Sequence, residues 1–175
     1  MDAITQLAIP VKMLLLDVDG VLSDGKLYFG NSGEELKAFN IYDGFGIKLL
    51  QRTGVVVGIV TGKQSTLVAR RAADLGIRIV VQGREDKLVA IREIQKQHSL
   101  HLSEIAYMGD DLPDLTAIQR VGLGLTVANA SPLVKQQAKW VSRATGGNGA
   151  VREACELIMA AQGTLEKILQ DYSTE

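Results

Sequence analysis

Five times along the chain a short apolar run gives way to a stretch with helical spacing, and this alternation narrows the fold more than any other feature. The runs at 11–16, 55–60, 77–81, 105–108 and 123–127 are rich in Val, Ile and Leu. They have the length of strands buried on both faces, and Trp140-Val141 reads as a short last strand. Between them, the spacing predicts helices over 65–75, 84–98, 113–120 and 132–137, and a helical stretch after Asp43-Gly44 ending near Arg52. Leu67, Val68, Ala72 and Leu75 share one face of the first of these; Leu88, Ile91 and Ile94 share one face of the second. Alternation of this kind implies an open, mostly parallel central sheet with helices on both sides, a three-layer α/β/α domain.

Ligands of such sheets bind beyond the carboxyl ends of the strands. The unusual polar residues of this chain fall there: Asp17 and Asp19 after the first run, Thr61 after the second, Asp110 and Asp111 after the fourth. Residues i and i+2 of an extended chain point the same way, so Asp17 and Asp19 can converge on one site. Two unit charges about 4 Å apart cost on the order of 4 kcal/mol at an effective dielectric near 20. Carboxylates crowded on one edge therefore require a bound cation, a retained proton or ample water.

Length and composition exclude several other roles. The 175 residues suit one domain, 1–175, with a full hydrophobic core. A net charge of −1 argues against a nucleic-acid or anionic-membrane binder, and no apolar stretch is long enough to span a membrane. Cys155 is the only cysteine, which rules out an intrachain disulfide and a cysteine-rich metal site. With no signal-peptide pattern at the N-terminus, a reducing, cytoplasmic setting is expected. His98 and His101 read as solvated, and Cys155 as core packing.

Two segments break the alternation. Residues 26–39 read as a β-hairpin around Gly30-Asn31-Ser32-Gly33, and a two-stranded ribbon is marginal in water unless it packs on something. Gly146-Gly147-Asn148-Gly149 reads as a flexible break, followed by a helical tail at about 149–172.

Aspartates with no histidine or thiolate beside them suit a hard divalent ion, Mg²⁺ above all, which is commonly held by one or two carboxylates plus substrate phosphate. Thr61 and Gly62 offer a hydroxyl and an unobstructed amide to a phosphate oxygen, and Lys87 can add a positive charge. Taken singly, each has a bland reading as helix cap, βα turn or surface lysine. Together they describe a phosphoryl site, where catalysis is mostly positioning and charge neutralisation.

Asp17-Val18-Asp19-Gly20-Val21, Thr61-Gly62, Lys87 and Gly109-Asp110-Asp111-Leu112-Pro113-Asp114 resemble, in order and position, the four motifs of the haloacid dehalogenase superfamily phosphatases. Segments 22–25, 31–40 and 149–153 further resemble the branch acting on 3-deoxy-D-manno-octulosonate (Kdo) 8-phosphate in lipopolysaccharide precursor synthesis. The resemblance implies a Rossmann-like fold with a protruding hairpin. It makes Asp17 a nucleophile that forms an aspartyl-phosphate, and Asp19 the acid and then the base. It implies Mg²⁺ held by Asp17, the Asp19 backbone carbonyl and Asp110, with Thr61 and Lys87 on the phosphoryl group. Asp19, Asn40, Ile41, Tyr42, Asp43, Gly44, Lys48, Gly62, Lys63, Arg71 and Lys87 would line the substrate site, supported by Asp111, Asp114 and Arg152. Lys48, Lys63 and Tyr42 depart from the more basic, arginine-bearing pattern of that branch, and lysine cannot reproduce arginine's two-pronged grip on a carboxylate.

Superfamily members often carry a cap domain over the site. Here only about 40 residues separate Asp19 from Thr61, and 25 lie between Thr61 and Lys87, which leaves no room for one. The resemblance implies that hairpins assemble a homotetramer and that the C-terminal tail, hinged at 146–149, reaches a neighbour's site. Two alternatives stand beside it. One is a phosphatase for a nine-carbon sialic-type sugar acid 9-phosphate. The other is a phospho-receiver-like regulatory module, whose acceptor aspartate would have to end a strand where this chain has Thr61.

Overall fold

A strand in which every residue is apolar has to be covered on both faces, and β1 (Met13–Leu16) is fully buried. In the computed structural model, which describes residues 2–33 and 35–173, β1 lies inside a six-stranded sheet. The order is β5 (Ile79–Val81), β4 (Val56–Val60), β1, β6 (Ile105–Gly109), β7 (Leu123–Thr126), β8 (Trp140–Val141), and every pairing is parallel. Met13 is in register with Val56 on one side and Ile105 on the other, so the strands end together and their polar sequels share one rim.

The side-chain period of two divides the core. Leu14 and Leu16 face α2 (Ile41–Arg52), α3 (Thr66–Asp74) and α7 (Ala150–Ala161) through Leu50, Val68, Ala154 and Ile158. Met13 and Leu15 face α4 (Lys87–Gln97), α5 (Leu112–Arg120) and α6 (Pro132–Gln137) through Ile91, Ile118 and Val134. Each such fully buried aliphatic side chain contributes about 1.5–3 kcal/mol. No helix among the described residues is long and apolar enough to cross a membrane.

Three elements differ from the expectations. Helix α2 begins at Ile41, ahead of Asp43-Gly44. The Asn40 side chain accepts a hydrogen bond from the Tyr42 amide (2.7 Å), and this N-cap outweighs two helix glycines. At one of them, Gly46, a Cβ would lie 3.0 Å from Cα of Arg152, so the glycine is what lets α2 and α7 pack closely. A short α1 (Ala3–Ala8), absent from the reading of the sequence, is capped by Asp2 and tied through Gln162 to the carbonyls of Ile9 and Val11. Six residues are too few to show a periodic face.

The third difference concerns the C-terminal segment. Residues 146–149 are not a hinge: Gly147 donates to the Val21 carbonyl (2.9 Å), Gly146 to Asn129 Oδ1 (3.0 Å), and Asn40 Nδ2 to the Gly147 carbonyl (3.2 Å). Beyond them α7 is a core helix, with Val151, Ala154, Cys155, Ile158 and Met159 all buried. Helix α8 (Leu165–Ser173) returns to α2, pairing Asp171 with Arg52 and placing Tyr172 edge-on to Phe45 at 5.8 Å. Between β1 and α2 lies the hairpin of β2 (Tyr28–Phe29) and β3 (Glu35–Leu36), shorter than its segment, with Glu34 of its turn outside the described residues. Between Thr61 and Lys87 there are only α3, β5 and loops, as the spacing requires.

Candidate active site

The strand ends meet in a cavity of about 320 Å³ lined by Asp17, Asp19, Thr61, Lys63, Lys87 and Asp110 among others. Asp17 continues β1, its amide donating to the Met108 carbonyl (3.0 Å). Its Oδ1 accepts from the Val18 amide (2.7 Å) and from Lys87 Nζ (2.9 Å). Lys87 starts α4, which turns the ammonium inward to the Val60 carbonyl (3.0 Å) and Asp114 (3.4 Å), leaving the lysine 3% exposed. A buried lysine must find partners of this kind, and it finds them at the ends of two strands.

Asp110 and Asp114 are set by α5. Asp111 is its N-cap, and Asp114 Oδ2 accepts from the amides of Asp110 (2.9 Å) and Asp111 (3.2 Å). Asp114 Oδ1 accepts from the hydroxyl of fully buried Tyr107. Thr126 donates to the Gly109 carbonyl (2.6 Å) and Ser131 to that of Asp110 (2.9 Å), so the loop is held from both sides.

Asp17, Asp110 and Asp114 each bring a carboxylate oxygen within 4.8 Å of the others. Burial, then the Asp114 charge, pushes Asp17 up to about 6 against the pull of Lys87. Burial, then the charges of Asp114, Asp17 and Asp111, pushes Asp110 up to about 7. The crowding therefore favours either a retained proton or a cation in the same place, and hard oxygen donors suit Mg²⁺. The fit is good: Asp114 is already committed to amides, Tyr107 and Lys87, so Asp17 and Asp110 are the carboxylates left to face an ion. Gly20, at φ +84°, adds room, because a Cβ there would fall 2.0 Å from Asp110 Oδ2. Gly146 closes on it from behind, its own would-be Cβ 1.7 Å from the Gly20 carbonyl.

Asp19 lies outside this carboxylate cluster. Its Oδ1 accepts from Lys37 Nζ at 2.6 Å, and Lys63 Nζ is 3.8 Å from its Oδ2. Thr61, its backbone bonded to Val81 and Arg84, and Gly62 complete the wall, with Glu85 beside Gly62. The remaining substrate residues expected from the sequence lie elsewhere in the single chain. Ile41, Gly44, Lys48 and Arg71 line a separate pocket of about 170 Å³. Tyr42 is 71% exposed on the first turn of α2. Asn40 joins that helix to the glycine loop and, through its carbonyl, to Arg71 (3.2 Å). Asp43 is buried and accepts from the amides of Gly149 (3.2 Å) and Arg152 (2.9 Å), fixing the start of α7; burial raises its carboxyl even so. The Arg152 guanidinium stacks over Phe45 at 5.5 Å and pairs with Glu156, inside the α2–α7 interface.

Two site residues escape the reading of the sequence, Lys37 and Tyr107. Tyr107 had a signal, since a lone hydroxyl in a buried strand needs a partner. Lys37 had little beyond a charge among Leu36, Ala38 and Phe39.

Residues 76–153 match the model of the haloacid dehalogenase-like hydrolases. The 3-deoxy-D-manno-octulosonate 8-phosphate phosphatase of Escherichia coli K12 is 46% identical over 157 residues, 90% of this chain and 84% of its own length. The chain belongs to this phosphatase family. The Kdo 8-phosphate phosphatase of Moraxella catarrhalis, solved with magnesium ion, phosphate ion and a KDO molecule, superimposes with a TM-score of 0.97 at 42% identity. That match covers 98% of this chain and 99% of the other. The Yersinia pestis family member gives 0.93 at 47% identity, covering 94% and 89%. The mostly parallel sheet with flanking helices is that of these relatives, and a phospho-receiver origin is not favoured.

Proposed function

We propose that the protein is a Mg²⁺-dependent phosphatase that hydrolyses Kdo 8-phosphate to Kdo and inorganic phosphate. The observation that carries this is the likeness, over nearly the whole chain, to a Kdo 8-phosphate phosphatase solved with magnesium, phosphate and KDO. Asp17 is the nucleophile. Val18 and Lys87 hold one of its oxygens, so the oxygen they leave over attacks phosphorus and an aspartyl-phosphate forms. Thr61, the Gly62 amide and Lys87 take the transferring phosphoryl oxygens, whose charge they offset as the bond to the sugar breaks. Asp19 gives its proton to the departing sugar oxygen and takes one from the water that hydrolyses the intermediate. Asp17, Asp110 and the Asp19 carbonyl would hold Mg²⁺, which supplies charge screening between nucleophile and phosphate. Asp111 and Asp114 set the loop that carries Asp110.

The sugar-acid carboxylate needs a countercharge. Lys63 stands at the cavity, while Lys48 and Arg71 line the second pocket with Ile41 and Gly44. Assembly that brings the basic pocket of one chain to the cavity mouth of another would supply it, with Asn40 and Tyr42 at that face and Asp43 and Arg152 holding α2 against α7 behind it. A homotetramer joined through hairpins fits the exposed Phe29 and Leu36, 70% and 63% accessible in one chain. Substrate chemistry and a single buried thiol fit the cytoplasm.

The test is phosphate release across sugar phosphates, with Mg²⁺ and with chelator. Preference for Kdo 8-phosphate over nine-carbon sugar-acid 9-phosphates is expected; activity that survives chelation would sink the mechanism.

A further inference from the structure

Lys37 is the one lysine besides Lys87 whose side chain is almost wholly buried at the reaction centre, and nothing in the phosphoryl chemistry above uses it. It leaves the return strand of the hairpin, 18 residues from Asp19 in sequence, and its side chain is 3% exposed. Its ammonium contacts Asp19 Oδ1 at 2.6 Å, whereas the exposed Lys63 stands 3.8 Å from Oδ2. Ordering a long, rotamer-rich side chain costs entropy, and desolvating its charge costs more. A surface lysine would have served the hairpin at less cost.

We propose that Lys37 is the positioning residue for Asp19: its ammonium pins one carboxyl oxygen and so fixes the direction in which the carboxyl group meets the leaving sugar oxygen. A proton donor acts efficiently only from a held geometry, and a misplacement of about 1 Å can cost about 10²-fold in rate. The hairpin thereby reaches the chemistry as well as the surface. Lys37 does not line the cavity, so it acts through Asp19 and not on substrate.

The inference rests on Asp19 being the acid in the proposed reaction, and leaving-group chemistry separates the two. An alkoxide must be protonated as it leaves; p-nitrophenolate need not be. The rate of the first step is measured by rapid quench with Kdo 8-phosphate and by the burst of p-nitrophenolate with p-nitrophenyl phosphate. The variants are Lys37→Met, Lys37→Arg and Asp19→Asn, with melting curves as the folding control. Lys37→Met is expected to slow the sugar-phosphate step at least ten-fold while changing the p-nitrophenolate burst less than two-fold, and Lys37→Arg to recover most of the loss. Equal losses on both substrates, in Lys37→Met or in a stably folded Lys37→Arg, would make the role structural and overturn the proposal. No loss on either would overturn it too. If Asp19→Asn is leaving-group selective and Lys37→Met is not, the proposal fails and the mechanism stands; if Asp19→Asn is itself unselective, both fail.

Discussion

The strand-end rim and the hairpin are joined by a few residues of chain and differ in nearly every physical respect. At the rim, Asp17, Lys87, Asp114 and Tyr107 satisfy one another by contacts of 2.9–3.4 Å and a buried hydroxyl bond, all within one subunit. In the hairpin, two pairs of residues form the ladder among the described residues, and Leu27, Phe29 and Leu36 face solvent. A network of buried charges tolerates one arrangement, because each unpaired member would cost several kcal/mol. An exposed ribbon with an apolar face tolerates many and is decided by what covers it. The rim is therefore settled within the chain, the hairpin by whatever covers it, and Lys37 is where the two meet.

The largest effect expected at the rim is that of Asp17→Asn. Losing the nucleophile should cut phosphate release by roughly 10⁴-fold or more and abolish the acid-stable trapped phosphoenzyme; substantial turnover would break the covalent reading. Lys87→Met comes next. Removing one partner of a buried pair should cost about 3–5 kcal/mol in urea unfolding and slow turnover by about 10²–10³-fold.

The metal-free protein should show the strain of the carboxylates directly. Asp17 rises from 3.8 to about 6 and Asp110 to about 7, so the folded chain binds these protons more tightly than the unfolded one. Their contribution is then most favourable below about pH 4 and is lost as pH rises from 4 to 7, with Asp17 alone accounting for about 3 kcal/mol. Denaturation of chelator-treated protein at pH 5 and pH 8 measures it, and Mg²⁺ at pH 8 should restore the loss.

Tyr107→Phe should cost about 1–2 kcal/mol of stability and about ten-fold in Mg²⁺ affinity by titration calorimetry, since Tyr107 orients Asp114 and Asp114 orients Asp110. At the hairpin, Phe29→Ser with Leu36→Ser should leave the subunit's circular dichroism unchanged yet lower the mass seen by light scattering. An unchanged mass would detach the hairpin from assembly.

Much of this was legible in advance. The strands at 11–16, 55–60, 105–108 and 123–127 appear within a residue or two of where the apolar runs end, because a strand buried on both faces cannot disguise its composition. Asp17, Thr61, Lys87 and Asp110 meet as their places after those strands require. Less legible was whatever depends on contact between distant segments. Gly146–Gly149 looks like a hinge by composition, yet at Gly146 and Gly147 another backbone passes too near for a side chain, and Gly149 holds a φ of +105°. Asp43 reads as a site residue, and no spacing shows that it also fixes the start of α7.

By itself, then, the amino-acid order determined the parallel sheet, the rim and the phosphoryl chemistry, since hydrophobic period and strand-end position are local facts. Only the tertiary structure decided that Asp114 serves the loop, leaving Asp17 and Asp110 the carboxylates open to an ion, and that Lys37 crosses from the hairpin to Asp19. Long-range pairing of charges depends on which segments fold against each other, and no spacing along the chain encodes it.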